Sequence, residues 1–389
     1  WWTDWFNQLM LILILLLTLV AIYFLAVYAY FKRMTAKYFT TLDRTQHLQD
    51  NLQLKSVQQI RERYAAAETI NILVLTGGGV RGLIPLQVLA ELERLTGKKT
   101  GELFDFMAGT STGAINCAIM ALADDAAGRR FSAADIARDY VSNIRQMFSA
   151  PWYHKFLTVF GLFGPHYLPE GKLKVLRGYF GEATLADLAT NLLVPVYDLV
   201  ENALRIIRNW EPKGNQHYTN YLLLDLIHGA SNPPLLFSPQ AFLVGNKKKV
   251  FIDPVVVINN PAEVILLNTW LMFPNKKLRI VQIANGGDDG MHYRHSHMAE
   301  FGAYGLLQYL LNSPIISSKF STDLVLEYIK EAGEAYLEVD FVYLDAKCDY
   351  KLASGDVSDE NMAKVQQFAN QMLDENASRL ATLAKDLVV

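Results

Sequence analysis

Residues 72–120 read ILVLTGGGVRGLIPLQVLAELERLTGKKTGELFDFMAGTSTGAINCAIM. Two glycine-framed turns punctuate this stretch, Gly77-Gly78-Gly79-Val80-Arg81-Gly82 and Gly109-Thr110-Ser111-Thr112-Gly113. Each follows a short apolar run, at 72–75 and 104–108, and each opens onto apolar residues at helical spacing, at 83–95 and 114–122. Strand, turn and helix twice over predict an α/β fold with a mostly parallel sheet covered by helices. The second turn has the G-x-S-x-G form of a nucleophile elbow, in which small residues two places either side let the chain bend sharply around the serine. The first can present several backbone N–H groups at a helix start, which suits a developing oxyanion.

Apolar residues make up 51% of the 389-residue chain and charged residues 19%. That balance supports a large core and argues against wholesale disorder. A net charge of −3 without a long basic run argues against nucleic acid as a partner. Two cysteines, Cys117 and Cys348, are too few for a disulfide framework or a cysteine-rich zinc site, and read as reduced, packed thiols.

Residues 9–31, LMLILILLLTLVAIYFLAVYAYF, carry no charge. As a helix they extend about 35 Å, enough to span a bilayer. Trp1, Trp2, Trp5 and Phe6 precede the run and Tyr28 and Tyr30 close it, as an aromatic belt would. A signal peptide would show a basic start, a shorter apolar core and a small-residue cleavage site, none of which is present. Lys32, Arg33 and Lys37 follow the run while Asp4 precedes it, so the positive-inside rule predicts a single pass with the bulk of the chain in the cytoplasm. Polar residues 40–68, with Leu48, Leu52, Ile60 and Tyr64 at helical spacing, read as a juxtamembrane helix. Further strands are expected at 193–198, 205–209, 249–253, 278–283 and 340–343, and a helix at 356–373 capped by Ser358.

A serine hydroxyl needs a base before it becomes a useful nucleophile. Two sources follow Ser111 in the chain: Asp253, ending the run VFID, and a histidine among His292, His295 and His297. Ser111…Asp253…His292 would match the order of an α/β-hydrolase triad, although those histidines lie in a polar stretch without an obvious strand or turn to aim them. The run 77–82 also satisfies the dinucleotide pattern G-x-G-x-x-G. The acidic residue that pattern needs about 20 residues later falls inside a helix, at Glu91 or Glu93, which disfavours a nucleotide site. Arg81 is a candidate contact for an anionic group.

Taken together, these residues resemble the patatin-like phospholipase family. TGGGVRG (76–82) is similar to its glycine-rich oxyanion loop, and GTSTG (109–113), roughly 30 residues later, to its elbow. LKVLRGYFGEATLADL (173–188), HGASNPPLLFSP (228–239), IDPVVVINNPA (252–262) and DVSDENMAKV near 356 resemble further landmarks in the same order. The resemblance implies a three-layer α/β/α fold and a Ser111–Asp253 dyad without histidine. It implies oxyanion donors from among Gly77, Gly78, Gly79 and Gly82, with Gly109 and Gly113 framing the elbow. It also implies a phospholipid or other acyl-lipid substrate, and neither metal nor other cofactor. A homo-oligomer is compatible with it. The expected organisation is a tail (1–8), a transmembrane helix (9–31), a juxtamembrane linker (32–68), a catalytic domain (69–345) and a C-terminal helical extension packed on it (346–389).

One departure bears on the chemistry. The family has Asp-Gly-Gly or Asp-Gly-Ala where this chain has Asp253-Pro254-Val255. Proline removes an N–H and restricts Asp253 to extended conformations, and Val255 resists the positive φ open to glycine. Two alternatives therefore stand beside the lipase: an esterase or thioesterase with a Ser-His-Asp triad, and a catalytically weak lipid-binding scaffold. The aromatic stretch 151–168, PWYHKFLTVFGLFGPHYL, reads either as a flap at the membrane or as ordinary packing.

Overall fold

The computed structural model describes residues 2–39, 54–123, 131–158, 164–211, 220–244, 247–286, 338–348, 350 and 352–388. In chain order the elements are α1 (Trp2–Phe39), β1 (Lys55–Ser56), α2 (Val57–Arg63), β2 (Thr69–Leu75), α3 (Leu83–Thr96), α4 (Thr100–Leu103), β3 (Phe106–Gly109) and α5 (Thr112–Ala121). Helices α6 (Ala133–Met147), α7 (Trp152–Leu157) and α8 (Pro169–Phe180) follow, then β4 (Asn191–Asp198), β5 (Ala203–Arg208), β6 (Trp210–Glu211) and α9 (Leu223–Ala230). The chain continues through β7 (Gln240–Val244), β8 (Lys247–Ile252), α10 (Ala262–Met272), β9 (Lys277–Ile283), β10 (Val339–Leu344) and α11 (Asp359–Asp386). Short 3₁₀ turns cover Gly79–Gly82 and Pro254–Val256.

Eight strands form the central sheet in the order β10-β9-β2-β3-β4-β8-β7, with β5 also paired to β4. The run from β10 to β4 is parallel, whereas β5, β8 and β7 join antiparallel. Strand β2 is apolar almost throughout because both of its faces are covered. Leu73 and Leu75 point into the larger core, with α3, α5, α6, α8, α9 and α11. Ile70, Ile72 and Val74 point into the smaller one, with α2 and α10. This alternation gives the three-layer α/β/α architecture.

Strand β4 decides where the site forms. Leu193 pairs with Ala108 of β3 on one edge and Arg208 of β5 on the other; Tyr197 pairs with Ile252 of β8 and Leu204 of β5. Strands β3 and β8 therefore share one edge of β4, β3 at its start and β8 at its end. Because β8 runs antiparallel to β4, its last residue points back toward the spot where β3 stops. Ser111 follows β3, and Asp253 follows β8.

Three features go beyond the sequence reading. Ile60 and Tyr64 of the expected linker are buried in the smaller core, and Lys55–Ser56 pair with β6. The final helix runs to Asp386 rather than 373 because Leu380, Leu383 and Ala384 continue its buried stripe. Its start is as expected, with the Ser358 hydroxyl accepting from the Asn361 N–H. Cys117 is fully buried in α5 and neither cysteine is bridged. Helix α1 is long and apolar enough to cross a membrane by length and composition, and only 6% of its apolar window is buried.

Candidate active site

Ser111 sits between β3 and α5 with φ 55° and ψ −123°, a strained conformation for a residue with a side chain. Close packing explains its flanking glycines. A Cβ on Gly109 would lie 2.4 Å from the Gly113 backbone, and one on Gly113 would lie 2.3 Å from the Leu75 carbonyl oxygen. Helix α5 can thus start directly against the ends of β2 and β3. Its first bonds run from Gly113 N–H to Thr110 O and from Ala114 N–H to Ser111 O. That leaves the positive end of the helix dipole beside the hydroxyl.

The glycine turn 77–82 wraps this corner. Gly77 lies so close that an added Cβ would be 3.0 Å from Ser111 Cβ. Asn285, just past β9, donates to Gly77 O (2.6 Å) and to Thr76 Oγ1 (3.1 Å). Tyr140 donates to Gly79 O (3.0 Å), and Asn116 to Gly82 O (3.0 Å). From the C-terminal extension, Ser354 O accepts the Val80 N–H (2.9 Å), and Gly79 at φ 55° allows the Ser354 carbonyl to approach where a Cβ would stand 2.0 Å away. Arg81 is buried and donates to Gly78 O (3.3 Å) and Gly286 O (3.1 Å), so its guanidinium braces the turn from within. The N–H groups of Gly77 and Gly78, both buried, have no hydrogen-bond acceptor among the described residues. Buried backbone donors are nearly always paired, so an unpaired pair beside a strained serine is chemically suited to meet an anion.

Asp253 is 1% exposed. Its backbone N–H donates to Asn232 O (3.1 Å), and its Oδ1 accepts from the Val255 N–H (3.0 Å). Pro254 opens the short 3₁₀ turn, and Asp253 keeps the extended ψ of 127° that a following proline demands. The replacement of the two glycines thus leaves neither residue at positive φ, and the turn grips the carboxylate from below. Oδ2 is buried and makes no regular hydrogen bond. Burial drives the carboxyl well above its ordinary range, while the facing Ser111 hydroxyl, the Val255 N–H and the Lys172 ammonium oppose that rise.

The structure therefore brings Ser111, Asp253 and the glycine turn to one point. His292, His295 and His297 lie outside the described residues; among those described, no histidine bonds to Ser111 or Asp253. The supporting residues Asn285, Tyr140, Ser354 and Lys172 escaped the sequence reading. For Lys172 a signal existed: it stands three and four residues before Val175 and Leu176, on the apolar stripe of α8.

Comparison with known proteins agrees with this architecture. The family model for patatin-like phospholipases matches residues 73–266, from β2 through the elbow and Asp253 into α10. Patatin-like protein 2 of Oryza sativa subsp. indica is 27% identical over 347 residues, covering 80% of this chain and 85% of its own. Patatin-like protein 2 of Arabidopsis thaliana is 25% identical over 344 residues, with 80% and 84% covered. A cGAMP-activated phospholipase of Vibrio cholerae serotype O1 is 29% identical over 255 residues, with 61% and 69% covered. The chain belongs to the patatin-like phospholipase family, and with it to the lipid acyl hydrolases.

Proposed function

We propose that this protein is a membrane-anchored serine phospholipase of the A or lysophospholipase type. Ser111 attacks the carbonyl carbon of a fatty-acyl ester while Asp253 accepts its proton. The oxyanion forms against the N–H groups of Gly77 and Gly78, and the leaving alcohol takes the proton back from Asp253. Water then hydrolyses the acyl-enzyme through the same two side chains. The observation that carries this reading is the meeting of a strained serine, a buried carboxylate and two unpaired buried N–H groups at one corner. A carboxylate is a weak base in water, but burial strengthens it and the helix dipole eases ionisation of the serine.

Membrane attachment is supported by the exposed apolar surface of α1 and by its contacts with the folded domain. Tyr23 donates to Phe156 O (2.9 Å), and Tyr30 shares a 2.8 Å hydrogen bond with His154. These bonds tie the helix to the domain through α7. Trp152 and Phe156 on α7 are 78% and 59% exposed beside it, where an aromatic surface would meet the lipid interface. Lys32 and Arg33 beyond the span favour a cytoplasmic catalytic domain.

Fluorophosphonate labelling and lipid mass spectrometry on membranes holding wild type, Ser111→Ala or Asp253→Asn test the proposal. Wild type should label and release fatty acid from glycerophospholipid, and both variants should lose release. Well-folded wild type that neither labels nor releases fatty acid would refute it.

A further inference from the structure

Lys172 is 2% exposed, a rare situation for a lysine. Its Nζ donates to Ser231 O and to Asn232 Oδ1 (2.8 Å), and lies 4.6 Å from the centre of the Phe237 ring. All three partners are neutral. A buried ammonium held only by neutral groups is strongly disfavoured unless a counter-charge is near. Among the described residues the carboxylate that acts on it is Asp253, whose backbone N–H is tied to the carbonyl of the same Asn232. The lysine from α8, the end of α9 and the acid after β8 thus form one buried unit behind the serine.

We propose that Lys172 is a positioning residue for the Ser111–Asp253 pair: its ammonium is the buried counter-charge that keeps the Asp253 carboxylate ionised and ready to accept the serine proton. The proposal rests on the dyad reading above. During attack the Ser111 Oγ–H proton passes to Asp253 as the Oγ–acyl bond forms. Asp253 becomes neutral, Lys172 stays an ammonium, and the negative charge moves to the oxyanion at the glycine turn. When the intermediate collapses, the ester C–O bond breaks and the leaving alkoxide takes the proton from Asp253. The other titratable group facing Lys172 among the described residues is His228 on α9. Burial, and secondarily the Lys172 charge, hold it down to about 3, so it stays neutral. Burial lowers Lys172 and raises Asp253, each opposed by the other's charge.

The test is kcat/KM against pH on a soluble short-chain ester, for wild type, Lys172→Met and Ser111→Ala. Loss of the ammonium removes support for the ionised carboxylate, so the acid limb of Lys172→Met should move up by about one pH unit or more. Activity would then fall about tenfold on the acid side and recover at alkaline pH. A uniform loss at every pH, or an unmoved limb, overturns the proposal. Full activity in Ser111→Ala would show instead that the dyad reading has failed. Should Lys172→Met not fold, melting temperatures decide. Asp253→Asn strands the ammonium, so Asp253→Asn/Lys172→Met should melt above Asp253→Asn alone; a lower value overturns the pairing.

Discussion

Replacing Gly77 by alanine separates steric precision at the site from general stability. A Cβ at this position would stand 2.6 Å from Asn259 Oδ1 and 3.0 Å from Ser111 Cβ. Non-bonded carbons are best placed about 3.5–4.0 Å apart, so Ser111 or the turn must yield by roughly half an ångström. Asn259 is buried, which limits its retreat on that side. Overpacking of this kind costs about 1–3 kcal/mol in stability, which a domain of this size can absorb. A misplacement approaching an ångström costs on the order of 10²-fold in rate, and loss of one oxyanion donor on the order of 10²–10³. Gly77→Ala should therefore stay folded and lose about 10²–10³ in kcat on a soluble ester, with KM little changed. Gly97→Ala is the control: Gly97 holds φ 69° at the end of α3, with nothing within 4 Å of an added Cβ. It should cost about 1–2 kcal/mol in stability through backbone strain and leave kcat alone. A folded Gly77→Ala enzyme within about threefold of wild-type kcat would refute the oxyanion role of this turn.

The remaining predictions concern pH, stability and the membrane. For wild type, kcat/KM should rise with pH along an acid limb above the ordinary aspartate value of about 3.9, because burial raises the Asp253 carboxyl and the base works only once deprotonated; a limb at or below that value counts against Asp253 as the base. Gly178→Ala, on the exposed face of α8 with no atom within 4 Å, should stabilise the fold by about 0.5–1 kcal/mol in denaturant titration, and a lower midpoint would show that α8 is under constraint there. Trp152→Ala with Phe156→Ala should depress hydrolysis of phospholipid in vesicles severalfold while sparing a soluble ester, since both side chains point outward beside α1. An equal fall on both substrates would contradict an interfacial role.

Much of this site is legible because it is local. The two turns are set by glycines whose need arises within a few residues, as where Gly113 meets the end of β2 and Gly109 meets Gly113. The unbroken apolar run of β2 from Ile72 to Leu75 likewise reports two covered faces. The extent of the last helix was less readable, because Asn376 interrupts the apolar stripe yet is buried, donating to Asp345 O. Pro254 looked disruptive in sequence; in the fold it starts a short turn whose Val255 N–H holds the Asp253 carboxylate.

The sequence by itself determined the elbow at Ser111, the glycine turn before it, the apolar helix at the start and the family to which the chain belongs. Each of these depends on spacing along the chain. Only the tertiary structure decided that Asp253 reaches Ser111, because that depends on β8 taking the edge of β4 beyond the end of β3. It alone decided that Arg81 braces the turn from within and that Lys172 lies behind the acid. Pairings across a sheet edge and charges buried between helices are fixed by packing between segments far apart in sequence, and no local pattern encodes them.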